Sequence, residues 1–392
     1  MRTPTCVAFL PALLLAAACN GTYQGAKTGT GPGGGGTPVW RQLAAGRDQT
    51  CGVFTNGVAY CWGANDSGEV GDGTTITARH TPQLVQTSLA FQSVTAGASH
   101  SCGLSSGAAF CWGNNAHSQL GDGATANRGT PVSVNGGVTF IQLSGGASYT
   151  CGVATTGSAY CWGDNSAGEL GVGDKTRRDQ PNLVGRLLAL TWARLSAGDW
   201  SASYHGCGVT TSSAAYCWGD NTLGELGTGD TVSQLSPVAV TGGLPFVSAS
   251  AGGPHSCALT AAGAAYCWGD NVFGELGVGD TTRRLTPTAV AGGLAFDSLT
   301  AGGAHTCGLV AGAAYCWGYN VFGQLGVGDT LRRTTPTAVL GGLQFVSLSA
   351  GWDHTCGVTT GGAAYCWGRN LQGQLGDNTT SNRTQPAAVQ SP

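Results

Sequence analysis

The chain has 392 residues, of which 9% are charged, and its formal net charge is −3 at pH 7. The sequence contains no basic stripe, so electrostatic binding to nucleic acid is unsupported. The hydrophobic fraction of 41% is enough for a core, and no stretch after residue 20 is long and apolar enough to span a membrane.

Residues 1–19 have the layout of an export signal, with Arg2 as a positive start and an apolar core over residues 7–18. Ala16-Ala17-Ala18-Cys19 resembles the lipobox of bacterial lipoproteins, which implies that Cys19 becomes the lipidated first residue. That family most often has Leu three residues before the cysteine, where this chain has Ala16. An ordinary signal peptide, cut nearby, is the alternative.

Residues 20–37 are rich in glycine and threonine. Such a segment buries too little apolar surface to fold by itself, so it is predicted to be a flexible tether. A folded body would then comprise residues 38–392.

That body is organised by a Cys-Trp-Gly triplet. It recurs seven times, beginning at Cys61, Cys111, Cys161, Cys217, Cys267, Cys316 and Cys366, at spacings of 49 to 56 residues. A fixed period of this size indicates a repeat architecture. Each repeat holds four short strand-like segments separated by glycine-containing turns, without helical periodicity. The sequence therefore predicts an all-β fold, a single seven-bladed β-propeller with four-stranded blades.

The ends of the chain bear on how the ring closes. The first strand is aromatic-led and begins at Trp40, and the last is proline-led, over residues 386–389. If a proline-led strand opens every blade, blade one lacks its own. The C-terminal strand is then predicted to pair into blade one, which removes the open sheet edges.

Fourteen of the 16 cysteines form pairs nine or ten residues apart, and only Cys6 and Cys19 remain, both in the leader. Two thiols per blade indicate disulfides and an oxidising compartment, whereas structural zinc would need four converging ligands. The predicted disulfides are Cys51–Cys61, Cys102–Cys111, Cys151–Cys161, Cys207–Cys217, Cys257–Cys267, Cys307–Cys316 and Cys356–Cys366.

Alternation of side chains along a strand gives each blade two unlike faces. Cys366 and Ala364 share one face, and Tyr365 and Trp367 share the other. The large face of one blade is predicted to fill the small face of the next.

Several polar residues recur once per blade. Five histidines precede a strand cysteine by two residues, at His100, His205, His255, His305 and His354. One ligand per blade is too widely spaced for one tetrahedral ion, so these histidines are interpreted as bonding turns. The repeated asparagines indicate Asx-turns, and the repeated arginines and glutamates an inter-blade polar network. No cofactor or metal is predicted, although calcium at residues 164–165 or 270–271 stays an alternative.

A catalytic site needs different residues in distinct roles, so departures from the repeat are the better guide to function. The largest is a longer loop in blade four, residues 198–205, which has a shorter counterpart in blade seven. Loops after the triplet should share a face with these loops, because strand direction alternates. The predicted binding rim is Asp199, Trp200, Tyr204, Phe273, Phe322, Trp352 and Asp353. In the alternative, Phe273 and Phe322 fold back to cap their blades.

Residues 350–358, Ala-Gly-Trp-Asp-His-Thr-Cys-Gly-Val, and residues 365–376, Tyr-Cys-Trp-Gly-Arg-Asn-Leu-Gln-Gly-Gln-Leu-Gly, resemble the regulator of chromosome condensation repeat. The resemblance covers about residues 40–389 and implies a seven-bladed propeller used for protein binding. The founding members catalyse guanine-nucleotide exchange on a small GTPase in the nucleus. This chain departs from them in its export signal, its cysteine pairs and its low charge. A secreted bacterial relative inhibits β-lactamases through its propeller face.

Together these features predict an exported, lipid-anchored, monomeric binding module without enzymatic activity, located on the cell envelope or outer surface. Its predicted partner is an extracellular or envelope protein, or a glycan, and the lipid anchor is its contact with the membrane. Inhibition of a specific enzyme and nucleotide exchange by family analogy are the alternatives. A hydrolase or lyase at the ring axis would need acidic or histidine residues that break the repeat there, and the sequence shows none.

Overall fold

In a computed structural model, which describes residues 39–75, 77–198 and 204–392, the repeats form seven four-stranded antiparallel sheets. This confirms the predicted seven-bladed propeller. The export signal, the tether, Cys6, Cys19 and the rim residues Asp199 and Trp200 lie outside the described residues. No helix within the described ranges is long and apolar enough to cross a membrane.

Each blade is one continuous segment of four strands. The strands of blades one to four are β1 (Trp40–Ala45), β2 (Gln49–Phe54), β3 (Ala59–Gly63), β4 (Arg79–Leu84), β5 (Ser93–Ala96), β6 (His100–Ser105), β7 (Ala108–Gly113), β8 (Arg128–Ser133), β9 (Phe140–Gly145), β10 (Tyr149–Ala154), β11 (Ala159–Gly163), β12 (Arg178–Leu183), β13 (Trp192–Ala197), β14 (His205–Thr210), β15 (Ala215–Gly219) and β16 (Gln234–Ala239). Those of blades five to seven are β17 (Phe246–Ala251), β18 (His255–Thr260), β19 (Ala265–Gly269), β20 (Arg284–Ala289), β21 (Ser298–Ala301), β22 (His305–Val310), β23 (Ala313–Gly318), β24 (Arg333–Ala338), β25 (Phe345–Ala350), β26 (His354–Thr359), β27 (Ala364–Gly368) and β28 (Arg383–Ala388). First strands of neighbouring blades contact one another, which places them at the ring axis.

The predicted ring closure is wrong. β28 pairs with β27 inside blade seven, and blade one is completed by its own β4. The proline-led strand is therefore the fourth, outermost strand of its blade and not the first. Proline suits this position because an edge strand has no further neighbour to which it must donate a hydrogen bond.

The ring closes through the packing of blade seven against blade one. The backbone N–H of Trp40 donates to the Gly362 carbonyl (3.0 Å), and that of Trp352 donates to the Gly46 carbonyl (3.1 Å). The Trp62 indole N–H donates to the Gln374 carbonyl at 2.9 Å. The closing interface thus uses the same face-to-face packing as the other six.

Each residue of the Cys-Trp-Gly triplet has its own structural role. In blade seven, Cys366 opposes Cys356 across the hairpin, and Trp367 packs against Cys307 and Cys316 of blade six. Gly368 has a φ of +106°, and a Cβ there would lie 2.5 Å from the Asp353 carbonyl oxygen. Only glycine tolerates that approach and conformation together. The predicted packing of large faces on small ones is confirmed.

All seven predicted disulfides are present in the described chain, with Cα–Cα distances of 4.0 to 4.1 Å. Such short distances are typical of directly opposed residues in non-hydrogen-bonded pairs. The cysteine side chains are at most 1% exposed, because each disulfide lies in the packing between two blades. Seven buried disulfides fit an oxidising environment.

Candidate functional site

The antiparallel strand order places two loop types at one end of the ring. The loop between the first and second strands, such as residues 351–353, lies beside the loop between the third and fourth strands, such as residues 369–382. We call this end the upper face. The hairpin turns between second and third strands and the connections between blades form the lower face. The five predicted rim residues that the structure describes lie in loops of the upper face.

The repeated asparagine holds the longer of these loops in shape. In blade seven the Asn370 side-chain oxygen accepts the Leu375 backbone N–H (2.9 Å), and its amide donates to the Thr379 carbonyl (3.1 Å). The loop is closed by Arg383, whose guanidinium lies 2.7 Å from the Asp377 carboxylate. The asparagine therefore does more than cap a turn.

The recurring arginines pair within their own blades, so the predicted inter-blade network is wrong for them. Their aspartate partners lie in the same loop, because the arginine opens the fourth strand just after it. Hydrogen bonding from Arg178 holds the pKa of Asp174 below its usual value. Blade four has Gln234 at this position, and there Asp230 accepts from the Thr228 hydroxyl (2.8 Å). The arginines thus fix loop shape and are not ligand-binding groups.

The recurring histidines join neighbouring blades and do not bond turns, which corrects the sequence interpretation. The His255 Nε2 lies 2.9 Å from the Thr306 hydroxyl of the next blade. That hydroxyl donates its proton to the Glu275 carbonyl (2.9 Å), which also accepts the Trp317 indole N–H (2.9 Å). Because the hydroxyl has a single proton, Nε2 must be the donor in the first bond. The same arrangement links His100, His205, His305 and His354 to a hydroxyl of the following blade.

Burial keeps these histidines neutral. Burial lowers the pKa of His100 to about 4, and those of His255, His305 and His354 to about 3. No group of three or more His, Cys, Asp or Glu in the described chain could hold a metal ion. These buried histidines therefore have a structural role at the interfaces between blades.

Two blades use other residues for the same purpose. In blade three the Tyr149 hydroxyl donates to the His205 carbonyl at 2.6 Å, and blade four has Gly206 where other blades have a hydroxyl side chain. In blade one the Gln49 amide donates to the Gly97 carbonyl at 2.9 Å. The longer Tyr149 side chain of blade three is thus accommodated by the smaller Gly206 of blade four.

A buried glutamate or glutamine supports each upper loop from below. The Glu275 carboxyl accepts the Phe273 backbone N–H (2.8 Å), and Gln324 accepts that of Phe322 (3.1 Å). The second carboxyl oxygen of Glu169 and Glu275 is buried without a hydrogen-bond partner. Burial raises the pKa of both groups to about 7. Their position is filled by glutamine in three blades, so a neutral side chain suits it.

Five of the seven predicted rim residues are described, and four of them are connected through neighbours that the sequence did not indicate. The Phe273 and Tyr319 rings are 4.7 Å apart, and the Tyr319 and Phe322 rings 6.3 Å apart. Arg369 lies over the Phe322 ring at 5.6 Å. Phe273 and Phe322 both remain partly exposed, and both contact Tyr319 of blade six.

The other pair of rim residues lies at the junction of blades six, seven and one. Trp352 packs over Gly303, and the Arg47 guanidinium stacks on its other side, 4.0 Å from the ring centre. Arg369 lies 3.0 Å from the Asp48 carboxylate and 3.9 Å from that of Asp353. Trp352 is thus fixed between two blades and presents an arginine–tryptophan stack to solvent.

Two rim residues differ from the expectation. Asp353 is only 8% exposed, and burial raises its pKa to about 6. Tyr204 stands apart on blade four, where burial, together with Asp164 and Glu169, raises its pKa. Asp353 therefore supports the arginine cluster from beneath instead of lining the rim.

The feature that sequence reasoning missed is a set of exposed aliphatic residues in three consecutive blades. Val272, Val321 and Leu371 are 52%, 54% and 55% exposed. The equivalent residues of blades one to four are Asp66, Ala116, Ser166 and Thr222. Aligning the residue after each loop asparagine would have revealed this change.

Leu331, which is 67% exposed, extends the set. The neighbouring Arg332 donates to the Val272 carbonyl (3.1 Å) and so draws the blade-six loop against blade five. We name this region the apolar surface, which comprises Val272, Phe273, Tyr319, Val321, Phe322, Leu331 and Leu371.

The fold and its inter-blade bonds define a disulfide-stapled seven-bladed propeller whose blades differ mainly in their upper loops. The chain belongs to the Regulator of chromosome condensation (RCC1) repeat family. One model of the repeat matches residues 56–104, 106–153, 213–259, 262–309, 311–358 and 361–392, and a second matches residues 40–69, 140–169, 246–275 and 345–374.

Solved structures share the fold at low sequence identity. Human WBSCR16 has a TM-score of 0.77 at 20% identity, covering 86% of this chain and 94% of its own. Prp20p from Saccharomyces cerevisiae has a TM-score of 0.75 at 21% identity, covering 90% and 87%. The ectodomain of the Physcomitrella patens receptor kinase CR4 gives 0.55 at 23%, covering 84% and 74%. Comparison with curated protein sequences found no match.

Proposed function

We propose that this chain is a non-catalytic protein-binding module that holds its partner with the apolar surface of blades five to seven. The observation that carries the proposal is the change from polar or small residues to large aliphatic residues at one repeated position, at Val272, Val321 and Leu371. A rigid sheet scaffold gains nothing in its own stability from exposing these side chains. Contiguous exposed apolar residues on a soluble fold mark an interaction site.

The surroundings of the apolar surface favour a protein as the partner. The Arg47–Trp352 stack lies nearby, and Arg47 is 42% exposed. Arginine and tryptophan are the residue types that most often dominate protein interfaces. The Tyr319 and Phe322 rings pack edge-on and the Phe273 and Tyr319 rings are tilted, so no flat ring face dominates the exposed area. A glycan, the alternative ligand, would use flat ring faces with adjacent hydrogen-bonding groups.

We propose no catalytic role for this surface because of where the titratable groups lie. The histidines and the glutamates of the blade interfaces are buried and engaged in packing, as at His255 and Glu275. Apart from the Tyr319 phenol, the side chains of the apolar surface are hydrocarbon. Burial raises the pKa of Tyr319, so this surface can bind but offers no carboxylate, imidazole or thiol for catalysis.

Related propellers bind proteins, which supports the proposal at the level of the fold. The structural study of Prp20p reports its binding to Gsp1p and histones, and Kap60 has been seen bound to the same yeast protein. Both structures are about 20% identical to this chain, so no partner and no exchange activity is transferred.

We also propose that the chain is exported and anchored by a lipid at Cys19. The seven buried disulfides support an oxidising location. Val39 lies on the lower face, where its carbonyl accepts the Thr55 backbone N–H (3.1 Å). Metabolic labelling of cells with a tagged fatty acid should mark the unmodified chain and not the Cys19→Ser variant, and equal labelling of both would contradict lipidation.

Charge placed within the apolar surface should abolish partner binding. The Val321→Asp, Leu371→Asp double variant is expected to lose at least about a hundredfold in affinity, because two buried hydrocarbon contacts would be replaced by unpaired charges. Both positions are exposed, so folding should be unaffected. The readout is capture from an envelope fraction followed by titration of the purified partner.

A matched control uses Val232 on blade four, which is 59% exposed on the same face. Val232→Asp should bind as tightly as the unmodified chain. If both variants bind normally, the proposed surface is wrong. If both fail equally, the loss reflects the added charge and not the site.

A further inference from the structure

The connection between blades three and four differs from its counterparts. It carries Gly185-Arg186-Leu187-Leu188-Ala189-Leu190 between β12 and β13. Counted from the proline of the fourth strand to the aromatic residue that follows, it is two residues longer than each of the others, and four of the others hold a Gly-Gly pair before a leucine or valine, as in residues 242–244. Leu190 corresponds to that single apolar residue and packs against the core. Leu187 and Leu188 are additional.

These two leucines have no structural role in the propeller. Leu187 is 96% exposed and Leu188 is 44% exposed. The turn that presents them is closed by the Leu188 backbone N–H, which donates to the Gly185 carbonyl at 2.8 Å. A fixed turn therefore projects two large apolar side chains into solvent from the lower face. We name residues 186–188 the Arg-Leu-Leu loop.

The lower face also differs from the upper face in charge. Among the described residues, its turns, blade connections and inner-strand ends hold Arg41, Arg186 and Arg194 against one acid, Asp297. Every other acidic residue that the structure describes lies in an upper loop or at the upper end of a fourth strand. The face that carries the exposed leucines is thus positive and almost free of carboxylates.

The start of the described chain lies on the same face. Val39 is held between the hairpin turns of blades one and seven, since its carbonyl accepts from Thr55 and the next residue, Trp40, donates to Gly362. The 38 residues that precede it are joined to the propeller there.

We propose that the lower face rests on an anionic lipid bilayer and inserts Leu187 and Leu188 into it. Exposed leucines beside arginines are suited to the interface of such a membrane, where the side chains enter the acyl boundary and the cations meet lipid phosphates. The inference does not depend on lipidation of Cys19, since the contact is made by the propeller.

The test uses the full chain with Cys19→Ser, so that no lipid anchor contributes. Flotation is measured with vesicles of equal parts phosphatidylglycerol and phosphatidylcholine. The Leu187→Ser, Leu188→Ser variant should lose about a hundredfold in partitioning, since two inserted leucine side chains are removed. Arg186→Gln should lose about fivefold and should weaken the salt dependence.

The matched control is Val321→Ser, Leu371→Ser, which removes two exposed aliphatic residues from the opposite face. It should partition as the parent chain does. The proposal is overturned if the parent chain does not float, if it floats equally with pure phosphatidylcholine, or if the loop variant and the control behave alike. Partner capture by the upper face is measured separately, so failure of this proposal leaves the proposed function standing.

Discussion

Acidification below about pH 4.5 should unfold the propeller steeply, because its inter-blade histidines must stay neutral. Their pKa values in the folded chain are about 4 for His100 and about 3 for His255, His305 and His354, against about 6.5 for an unfolded chain. The unfolded state therefore binds more protons below pH 6.5, and stability is lost as the pH falls towards the folded values.

The two buried glutamates offset about half of this loss at first. Glu169 and Glu275 have a folded pKa of about 7 and an ordinary value of 4.5. Between those values the folded state binds the extra protons, which stabilises it as the pH falls. Below about pH 4.5 both states are protonated at these carboxyls and the histidines act alone. Each contributes about 1.4 kcal/mol per pH unit, so four give roughly 5 kcal/mol per unit.

The measurement is the thermal midpoint followed by circular dichroism from pH 3 to pH 8. We expect a gradual decline between pH 6.5 and pH 4.5 and a decline about twice as steep below pH 4.5. The His100→Gln variant is the control, because blade one already has Gln49 at this position. It should flatten the decline by about 1.4 kcal/mol per pH unit. A midpoint that stays constant down to pH 3 would contradict the buried neutral histidines.

Replacement of a buried glutamate by glutamine should stabilise the propeller in alkaline solution. The Glu275 carboxyl has a raised pKa of about 7, so its favourable contribution is present below pH 4.5 and is lost as the pH rises through 7. Above that pH the folded chain must hold a buried carboxylate with one oxygen lacking a partner. Glu275→Gln removes this penalty, which is roughly 3 kcal/mol for a shift of this size.

The expected result is a denaturant midpoint that rises at pH 9 and is unchanged at pH 4.5. Gln324 occupies the equivalent position of the next blade and makes the same backbone contact, so glutamine is sterically suitable. Asp230→Asn serves as a control, because this carboxyl is exposed and its pKa is lowered by hydrogen bonds from Val232 and Thr228. Equal stabilisation at both pH values would show that shape, and not charge, decides the effect.

The architecture was predictable because the triplet imposes one physical requirement per residue. Opposed cysteines need a hairpin, tryptophan needs an apolar partner blade, and Gly368 needs a positive φ. The closure was not predictable from the period. A repeat has no intrinsic first strand, so the proline-led strand can be assigned to the blade before it or after it. The pairing of Gly368 with Arg383 in the structure shows that the proline-led strand ends its blade and does not begin the next one.

The site was less predictable than the fold. Phe273, Phe322 and Trp352 stand out because aromatic residues interrupt the repeat. Val321 and its equivalents do not stand out, because a single aliphatic residue is also typical of a strand interior. The stack of Arg47 on Trp352 joins opposite ends of the chain, which only the closed ring brings together. Asp353 was misassigned because its burial depends on Arg369 and Gln324 of the surrounding loops.

The most direct test of the proposed function is site-directed photocrosslinking on the full chain in cells. A photoreactive amino acid is placed at Val321, Leu331 or Leu371, and for comparison at Val232 and at Ile141 on the lower face; all five positions are exposed. We expect one protein partner to be crosslinked from the first three positions and not from the other two. Crosslinks from Val232 or Ile141 to that partner, with none from blades six and seven, would contradict a binding site on the apolar surface.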